Sequence, residues 1–322
     1  MHFRAISYLV VFDSEAFGVP TRRQLEVRGL DGHHRAQAVR RGELVRVRPG
    51  VFVVQPPPDH PTDRWRQACA VELVAAGPDA VLTGAAGAAL RNLDGWEAPV
   101  PIEVNVPRRS GRRRSGVHRR KAVGDTVQLD GLPVASIEQT LLELGIDLSR
   151  RRLCFGMRRG GWLSPADQVE LAVESALRRP LVSEARLLEM TALAPRQRPG
   201  VAVLAEVLGR RPPDQPATES YLETRCVQVL RDAGLPTGQR QVRIADDLGR
   251  FVGRVDFQLA PRVLLEVDGR AFHGGERHEE DRRRWTALSS LGYGLAVFTW
   301  QDIEFQPRLV TGRVSDLLER YR

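Results

Sequence analysis

The stretch Val263-Leu-Leu-Glu-Val-Asp268 decides how the C-terminal third of the chain is expected to fold. It is short and apolar at four of its six positions, which is typical of a buried β-strand. A second run of alternating character, Arg254-Val-Asp-Phe-Gln-Leu259, precedes it across Ala260-Pro261-Arg262. Two such runs joined by three residues predict an antiparallel β-hairpin.

This hairpin would bring acidic side chains together. A three-residue loop places Asp256 opposite Glu266, with β-carbons about 5 Å apart, and Asp268 shares the face of Glu266 because strand side chains alternate. Facing carboxylates repel unless something compensates them, and hard oxygen ligands suit Mg²⁺ or Mn²⁺. The same register sets Asp268 against Arg254, so an ordinary cross-strand salt bridge is the alternative.

Further candidate residues flank the hairpin. His273 follows Asp268 by five positions, and it is predicted to act as a general acid or base, or to be a plain surface residue. Upstream, Ser220-Tyr-Leu-Glu223 opens a predicted helix, in which Glu223 is either a capping residue or a further metal-site acid. Downstream, Arg282-Arg283-Arg284 is either a solvated helix face or a phosphate contact.

Residues 214–322 resemble the very-short-patch-repair-like (Vsr-like) endonucleases of the PD-(D/E)XK superfamily. The residues that carry the resemblance are Ser220-Tyr-Leu-Glu-Thr-Arg225, Ala233-Gly-Leu-Pro236, Gln241, Gly253-Arg-Val-Asp-Phe257, Leu265-Glu-Val-Asp-Gly269, His273, Asp281-Arg-Arg283, Leu288, Gly292 and Phe298-Thr-Trp300.

The resemblance implies a restriction-endonuclease-like mixed sheet flanked by helices. It also implies metal-site roles for Asp256 and Glu266, a supporting acid at Asp268 or Glu223, and a proton-moving role for His273. Asp268 stands where many members of the superfamily carry lysine, and the very-short-patch branch lacks that lysine as well.

Length, charge and cysteine content set the wider expectations. The chain has 322 residues with 42% apolar content, which is enough for two or three packed domains. A net charge of +8 and a pI near 10.3 favour a polyanionic partner, although the use of one lysine against many arginines also fits a GC-rich genome. Three scattered cysteines and the lack of a signal or membrane segment predict a cytoplasmic protein without a membrane partner.

Residues 1–58 are predicted to form a winged helix-turn-helix. Thr21 caps a first helix, Gly32 to Arg41 forms a second, and Glu43-Leu-Val-Arg-Val-Arg48 pairs with Val51-Phe-Val-Val54 across a Pro-Gly turn. In such folds the second helix enters the major groove and the wing contacts the backbone. The predicted DNA contacts are His34, Arg35, Gln37, Arg40 and Arg41 on the helix and Arg46 and Arg48 on the wing. A protein-contact module is the alternative.

The run Gly42-Glu-Leu-Val-Arg-Val-Arg-Pro-Gly-Val-Phe52 resembles the N-terminal domain of AbiEi-type antitoxins. That resemblance implies a transcriptional regulator of a toxin system, with operator DNA and a toxin as partners. Gly131-Leu-Pro-Val-Ala-Ser-Ile-Glu-Gln-Thr-Leu-Leu-Glu-Leu144 resembles the segment that links the two domains in the same fused family.

Residues 59–145 are predicted as a middle α+β domain with a mobile basic loop, and residues 146–213 as a helical connector. The loop would track DNA phosphates without reading bases, or it is a solvated charge run. We assign six of its cations to DNA binding: Arg112, Arg113, Arg114, Arg119, Arg120 and Lys121. Two further arginines, Arg108 and Arg109, precede them.

The sequence therefore predicts an α+β multidomain, cytoplasmic DNA-binding protein with Mg²⁺- or Mn²⁺-dependent endonuclease activity, in repair or phage defence. The alternative is an antitoxin-like regulator whose nuclease-like domain is not catalytic. A third hypothesis is RNA cleavage in a defence role. The DNA site and the oligomeric state are left open.

Overall fold

The computed structural model describes residues 14–107, 117–120, 125–149, 163–193, 199–212, 215–268 and 276–322. These residues form an α+β protein with twelve α-helices and three sheets, so the predicted fold class is confirmed at that level. They fall into two compact units, one within Met1–Leu153 and Met190–Ala202, the other within Cys154–Glu189 and Val203–Arg322. The segment 146–213 contributes residues to both units.

The first unit contains both helices and strands. Their bounds are α1 Arg22–Val27, α2 Gly32–Arg40, β1 Leu44–Arg48, β2 Val51–Val54, α3 Pro61–Ala76, β3 Val81–Thr83, α4 Gly84–Leu90, β4 Glu103–Pro107, β5 Val117–Arg120, β6 Thr126–Leu129, β7 Leu132–Ala135 and α5 Ile137–Ser149. β1 and β2 form an antiparallel pair, and the other five strands form a mixed sheet in the order β5-β4-β3-β7-β6.

The local signals near the N-terminus act as the sequence predicts. The Thr21 hydroxyl accepts from the backbone N–H of Gln24 at 3.2 Å and opens α1, and Asp31 caps α2 in the same way. Gly29 and Gly42 follow the two helices with φ values of 80° and 74°, a conformation that glycine adopts without strain. Both helices and the β1–β2 hairpin are therefore confirmed as elements.

Part of the basic segment is a strand rather than a loop. Residues Val117–Arg120 form β5, which pairs in parallel with β4 and lies at the edge of the five-stranded sheet. Arg119 and Arg120 belong to this strand, so the predicted mobile loop is wrong for these positions. The other predicted contacts of the segment, Arg112 to Arg114 and Lys121, lie outside the described residues.

The second unit is built around a four-stranded sheet. Its elements are α6 Pro165–Arg178, α9 Tyr221–Asp232, β8 Gln239–Ala245, β9 Phe251–Ala260, β10 Val263–Asp268, α10 Glu276–Ser290, β11 Gly294–Thr299, α11 Trp300–Phe305 and α12 Pro307–Arg320, and helices α7 Glu184–Leu193 and α8 Pro199–Gly209 cross the boundary between the units. The strand order is β11-β10-β9-β8, with β10 and β11 parallel and the other pairs antiparallel.

Helices cover both faces of this sheet. Leu265 and Phe298 pack with residues of α9, α11 and α12 in one apolar cluster. Leu264 packs with Leu288 of α10 in a second cluster. β10 is therefore buried on both sides, which explains its nearly continuous apolar sequence.

Helix α6 is held to this unit by buried ion pairs. Its acids Asp167, Glu170 and Glu174 lie on one helical face and are less than 10% exposed. Their partners are four arginines from other parts of the same unit, Arg210, Arg211, Arg231 and Arg240. The helix is thus an integral part of the second unit.

The cysteines of the described residues are structural. Cys69 and Cys226 are free thiols at 0% exposure, and burial raises the pKa of each thiol far above its usual range. Neither is therefore a reactive thiolate at neutral pH. Among the helices of the described residues, none is long and apolar enough to cross a membrane.

Candidate active site

The β9–β10 hairpin sets the register of the predicted acids. Leu265 pairs with Phe257, and Glu266 and Asp256 are the next residues along the two strands. The loop differs from the prediction, because only Pro261 and Arg262 separate the strands and a register shift after Val263 accounts for the extra residue. With either loop the two acids directly follow the same pair of strand residues.

Asp256 is fixed across the hairpin by a backbone group. Its Oδ2 atom accepts from the N–H of Val267 at 2.8 Å. Burial raises the pKa of this carboxyl above its ordinary value despite that hydrogen bond, and the negative charge of Glu219 adds to the rise. Asp256 is therefore a partly buried acid whose ionised form is disfavoured mainly by burial, although the charges of Arg254 and Arg284 lower its pKa.

Glu223 takes the structural role of a helix cap and is also close to Asp256. Its carboxylate accepts from the Glu219 N–H at 2.8 Å, from the Ser220 hydroxyl at 3.1 Å and from Gln241 Nε2 at 3.0 Å. Burial raises the pKa of Glu223, and the charge of Asp256 raises it further. The two carboxyls are thus electrostatically coupled across α9 and β9.

Glu266 faces α10. It is 7% exposed, and its Oε2 atom accepts from Trp285 Nε1 at 2.7 Å and from Arg284 Nη2 at 2.9 Å. A guanidinium therefore already compensates part of the charge of this acid.

The alternative prediction is a salt bridge between Arg254 and Asp268, but in the structure Arg254 pairs with Glu219. Arg254 donates from both Nη atoms to the carboxylate of Glu219, each at 2.8 Å. Asp268 closes β10 and is half-buried beside Thr299 of β11. His273 lies outside the described residues, so its predicted proton-moving role stays a prediction.

The regular alternation of the strands breaks at Asp256. Val255 packs in the cluster on the α10 side, whereas Phe257 packs in the cluster on the other side. On β8, Gln241 lies between the residues paired with these two and has a φ of 55°, which is uncommon for a residue other than glycine. Such strain persists only where surrounding structure enforces it, and it is concentrated at functional sites.

The donors of this site fit Mg²⁺ as a two-carboxylate centre. Among the residues that the structure describes, no group of three or more His, Cys, Asp or Glu side chains is arranged to hold a metal. Mg²⁺ commonly takes only one or two carboxylates and completes its shell with water and substrate phosphate. Asp256 and Glu266 carry hard oxygens on neighbouring strands, and burial raises the pKa of Asp256 although Arg254 and Arg284 lower it, so that a cation would stabilise the ionised form.

Two of the predicted DNA contacts are tied to the protein itself. Arg35 donates to the Leu30 carbonyl at 2.8 Å and lies 3.4 Å from Glu26, with its side chain only 11% exposed. Arg48 pairs with Glu72 of α3 at 2.9 Å. Both side chains therefore support the fold around α2 and β1.

Four other predicted contacts are open to solvent. Arg40 and Arg46 are exposed, and Arg41 is exposed with a distant 4.0 Å pairing to Glu43. His34 is exposed and lies 3.0 Å from Asp31. The basic surface that α2 and β1 present thus consists of fewer cations than the sequence predicts.

The sequence reasoning missed the contacts around Glu266. It gave Arg284 two alternative roles, as part of a solvated helix face or as a phosphate contact, and it did not consider Trp285. Gly253 was a usable signal, because a Cβ at this position would meet Arg284 Cδ at 2.9 Å. A glycine inside an otherwise regular strand indicates close approach of another group.

Comparisons with known proteins leave the function open. No family model matches the chain. The uncharacterised protein Rv2248 of Mycobacterium tuberculosis is 27% identical over 305 residues, which cover 94% of this chain and 98% of that protein. A similarity to the crystal structure of the RV2827C protein, also from M. tuberculosis, covers 63% of this chain and 80% of that chain. The sequence identity is 21% and the TM-score is 0.36.

Proposed function

We propose that this protein is a cytoplasmic, Vsr-like DNA endonuclease that uses Mg²⁺ or Mn²⁺ to hydrolyse a phosphodiester bond. The observation that carries the proposal is the placement of Asp256 and Glu266 on adjacent strands, directly after the paired residues Phe257 and Leu265, at the point where both β8 and β9 depart from regular geometry. A winged helix-turn-helix formed by α1, α2 and the β1–β2 hairpin would hold the duplex.

The carboxylates would divide the work between them. Asp256 and Glu266 would hold the ion, and Asp268 or Glu223 would complete its coordination shell. The ion, when bound, lowers the pKa of a bound water and neutralises charge on the scissile phosphate. Water would add to phosphorus with loss of a proton, the bond to the leaving oxygen would break, and that oxygen would receive a proton; His273 is proposed to move the proton.

Nicking of supercoiled plasmid tests the proposal. Asp256→Asn and Glu266→Gln should each lower the Mg²⁺-dependent nicking rate by more than about 100-fold, because even residues that only support metal ligands contribute 10–100-fold. Asp316→Asn and Glu319→Gln are matched controls, since both acids are exposed on α12. Equal nicking by the Asp256 variant and its control would show that these carboxylates are not the catalysts.

A second candidate function is an AbiEi-like regulator with a non-catalytic nuclease-like domain. The contact of Arg284 with Glu266 favours it, because a guanidinium stands where a metal ion would need to bind. In this case the domain would act as a binding platform, and operator DNA and a toxin would be the partners.

Binding to the protein's own promoter distinguishes this candidate. A regulator should shift that DNA in a gel and leave it uncut with Mg²⁺ or Mn²⁺. Replacing Arg40, Arg41 or Arg46 by Gln should reduce the slope of log K against log salt by about one for each arginine that binds a phosphate. Cleavage of the same DNA, or a shift that the three variants leave unchanged, would contradict this candidate.

A further inference from the structure

Arg284 reaches the acid site by a defined route. It starts on α10, passes over Gly253 of β9 and donates from Nη1 to the Arg254 carbonyl at 3.0 Å and from Nη2 to Glu266 at 2.9 Å. A β-carbon at residue 253 would lie 2.9 Å from Cδ and 3.1 Å from Cγ of this arginine. The backbone of β9 is therefore shaped to admit the arginine stem.

Glu266 has a second donor that does not carry charge. Trp285 Nε1 donates to the same Oε2 atom that Arg284 contacts. An indole N–H is a donor only, so it orients the carboxylate without neutralising it. If the guanidinium leaves, Glu266 keeps its position and regains its full negative charge.

The Arg284 side chain is more exposed to solvent than its partner Glu266. The Arg284 side chain is 30% exposed, whereas that of Glu266 is 9% exposed. Arg284 also lies near enough to Asp256 to stabilise its negative charge. One partly exposed cation thus balances both carboxylates of the proposed metal pair.

We infer that Arg284 is an internal counter-ion of the acid site, which holds Glu266 while no divalent cation is bound and is displaced when one binds. The displaced guanidinium then faces the solvent side, where a substrate phosphate would approach. The inference rests on the proposed function and adds a positioning residue to it. It also explains how one chain can carry an arginine contact and a metal site at the same carboxylate.

Calorimetric titration with Mn²⁺, without DNA, tests the inference. Arg284→Gln should raise the affinity for Mn²⁺ about tenfold, because the ion no longer competes with a guanidinium for Glu266. Arg284→Lys should give a smaller change, since it keeps the charge and loses the planar fork. Arg313→Gln is the matched control, because Arg313 is exposed on α12. Unfolding curves for each variant verify that it is folded.

The outcomes separate this inference from the proposed function. If the natural protein binds Mn²⁺, Asp256→Asn removes the binding and Arg284→Gln leaves it unchanged or weaker, the counter-ion role is wrong and the metal site stands. If only Arg284→Gln binds Mn²⁺, the ion does not displace the guanidinium in the natural protein, so the displacement is wrong and the natural site is locked, as the regulator candidate requires. If neither protein binds Mn²⁺, both the inference and the metal-dependent function are wrong.

Discussion

Two groups of buried acids in the second unit differ in how their charge is balanced. On α6, Asp167, Glu170 and Glu174 meet four arginines, and each carboxylate has at least one guanidinium within 3.2 Å. Around β9 and β10 the negative charges are compensated less completely. Burial and neighbouring acids raise the pKa of Asp256 and of Glu223, and Arg284 is shared between Asp256 and Glu266.

The difference indicates two uses of buried charge. A fully paired cluster fixes one element to another, and it is costly to disturb because removal of one partner leaves a buried ion. In the β9–β10 cluster burial raises the pKa of Asp256 and of Glu223, so an additional cation would stabilise the ionised form of these acids. The α6 cluster is therefore the structural member of the pair, and the β9–β10 cluster is the candidate for chemistry.

The strongest test of the difference between the two acid clusters is a substitution of Glu174. This residue is 1% exposed and contacts Arg211 and Arg240. Glu174→Gln should lower the free energy of unfolding by about 3–5 kcal/mol, because it removes the buried carboxylate that two buried guanidinium groups share and leaves Arg211 with Glu184 at 3.2 Å. Urea unfolding measures the change. Glu206→Gln is the control, since that pair with Arg210 is more than half exposed on the Glu206 side. Similar destabilisation by both variants would end the distinction between the clusters.

Asp256→Asn should have an effect of the opposite sign and smaller size. The pKa of Asp256 is higher in the folded protein than in the unfolded chain, so ionisation of this acid opposes folding as pH rises. The variant should be more stable than the natural protein at pH 7, and the difference should vanish below about pH 4, where unfolded Asp is protonated. Unfolding curves from about pH 3.5 to 8 span this range, and a lower stability of the variant at pH 7 would contradict the prediction.

The smallest expected effect concerns the strained residue on β8. Gln241→Gly and Gln241→Ala both remove the hydrogen bond to Glu223, and only glycine accepts a φ of 55° without cost. The glycine variant should be more stable than the alanine variant by about 1 kcal/mol in urea unfolding. If alanine is equally stable, the backbone is not held in this conformation by its surroundings.

Much of the fold could be predicted from local signals. The caps Thr21 and Ser220, the glycines after α1, α2 and α9, and the alternation in the β9–β10 hairpin each specify an element through neighbouring residues. The placement of Asp256 and Glu266 directly after the paired residues Phe257 and Leu265 also follows from spacing along one hairpin.

The counter-charges could not be predicted in this way. Arg284 lies 18 positions from Glu266, and the α6 acids lie up to 66 positions from their partners. Such pairs depend on tertiary packing, and composition alone gives no register between distant helices. The predicted loop at Arg119 and Arg120 failed for a related reason, because the pairing of β5 with β4 overrides the local charge pattern.

The absence of a side chain at Gly253 has an evolutionary consequence. A single added methyl group on β9 would close the path of the Arg284 stem without changing any carboxylate. Residues 253 and 284 are therefore expected to covary among relatives, with larger residues at 253 accompanied by replacement of the arginine. Natural variation could in this way alter the ion preference of the protein while the acids themselves stay the same.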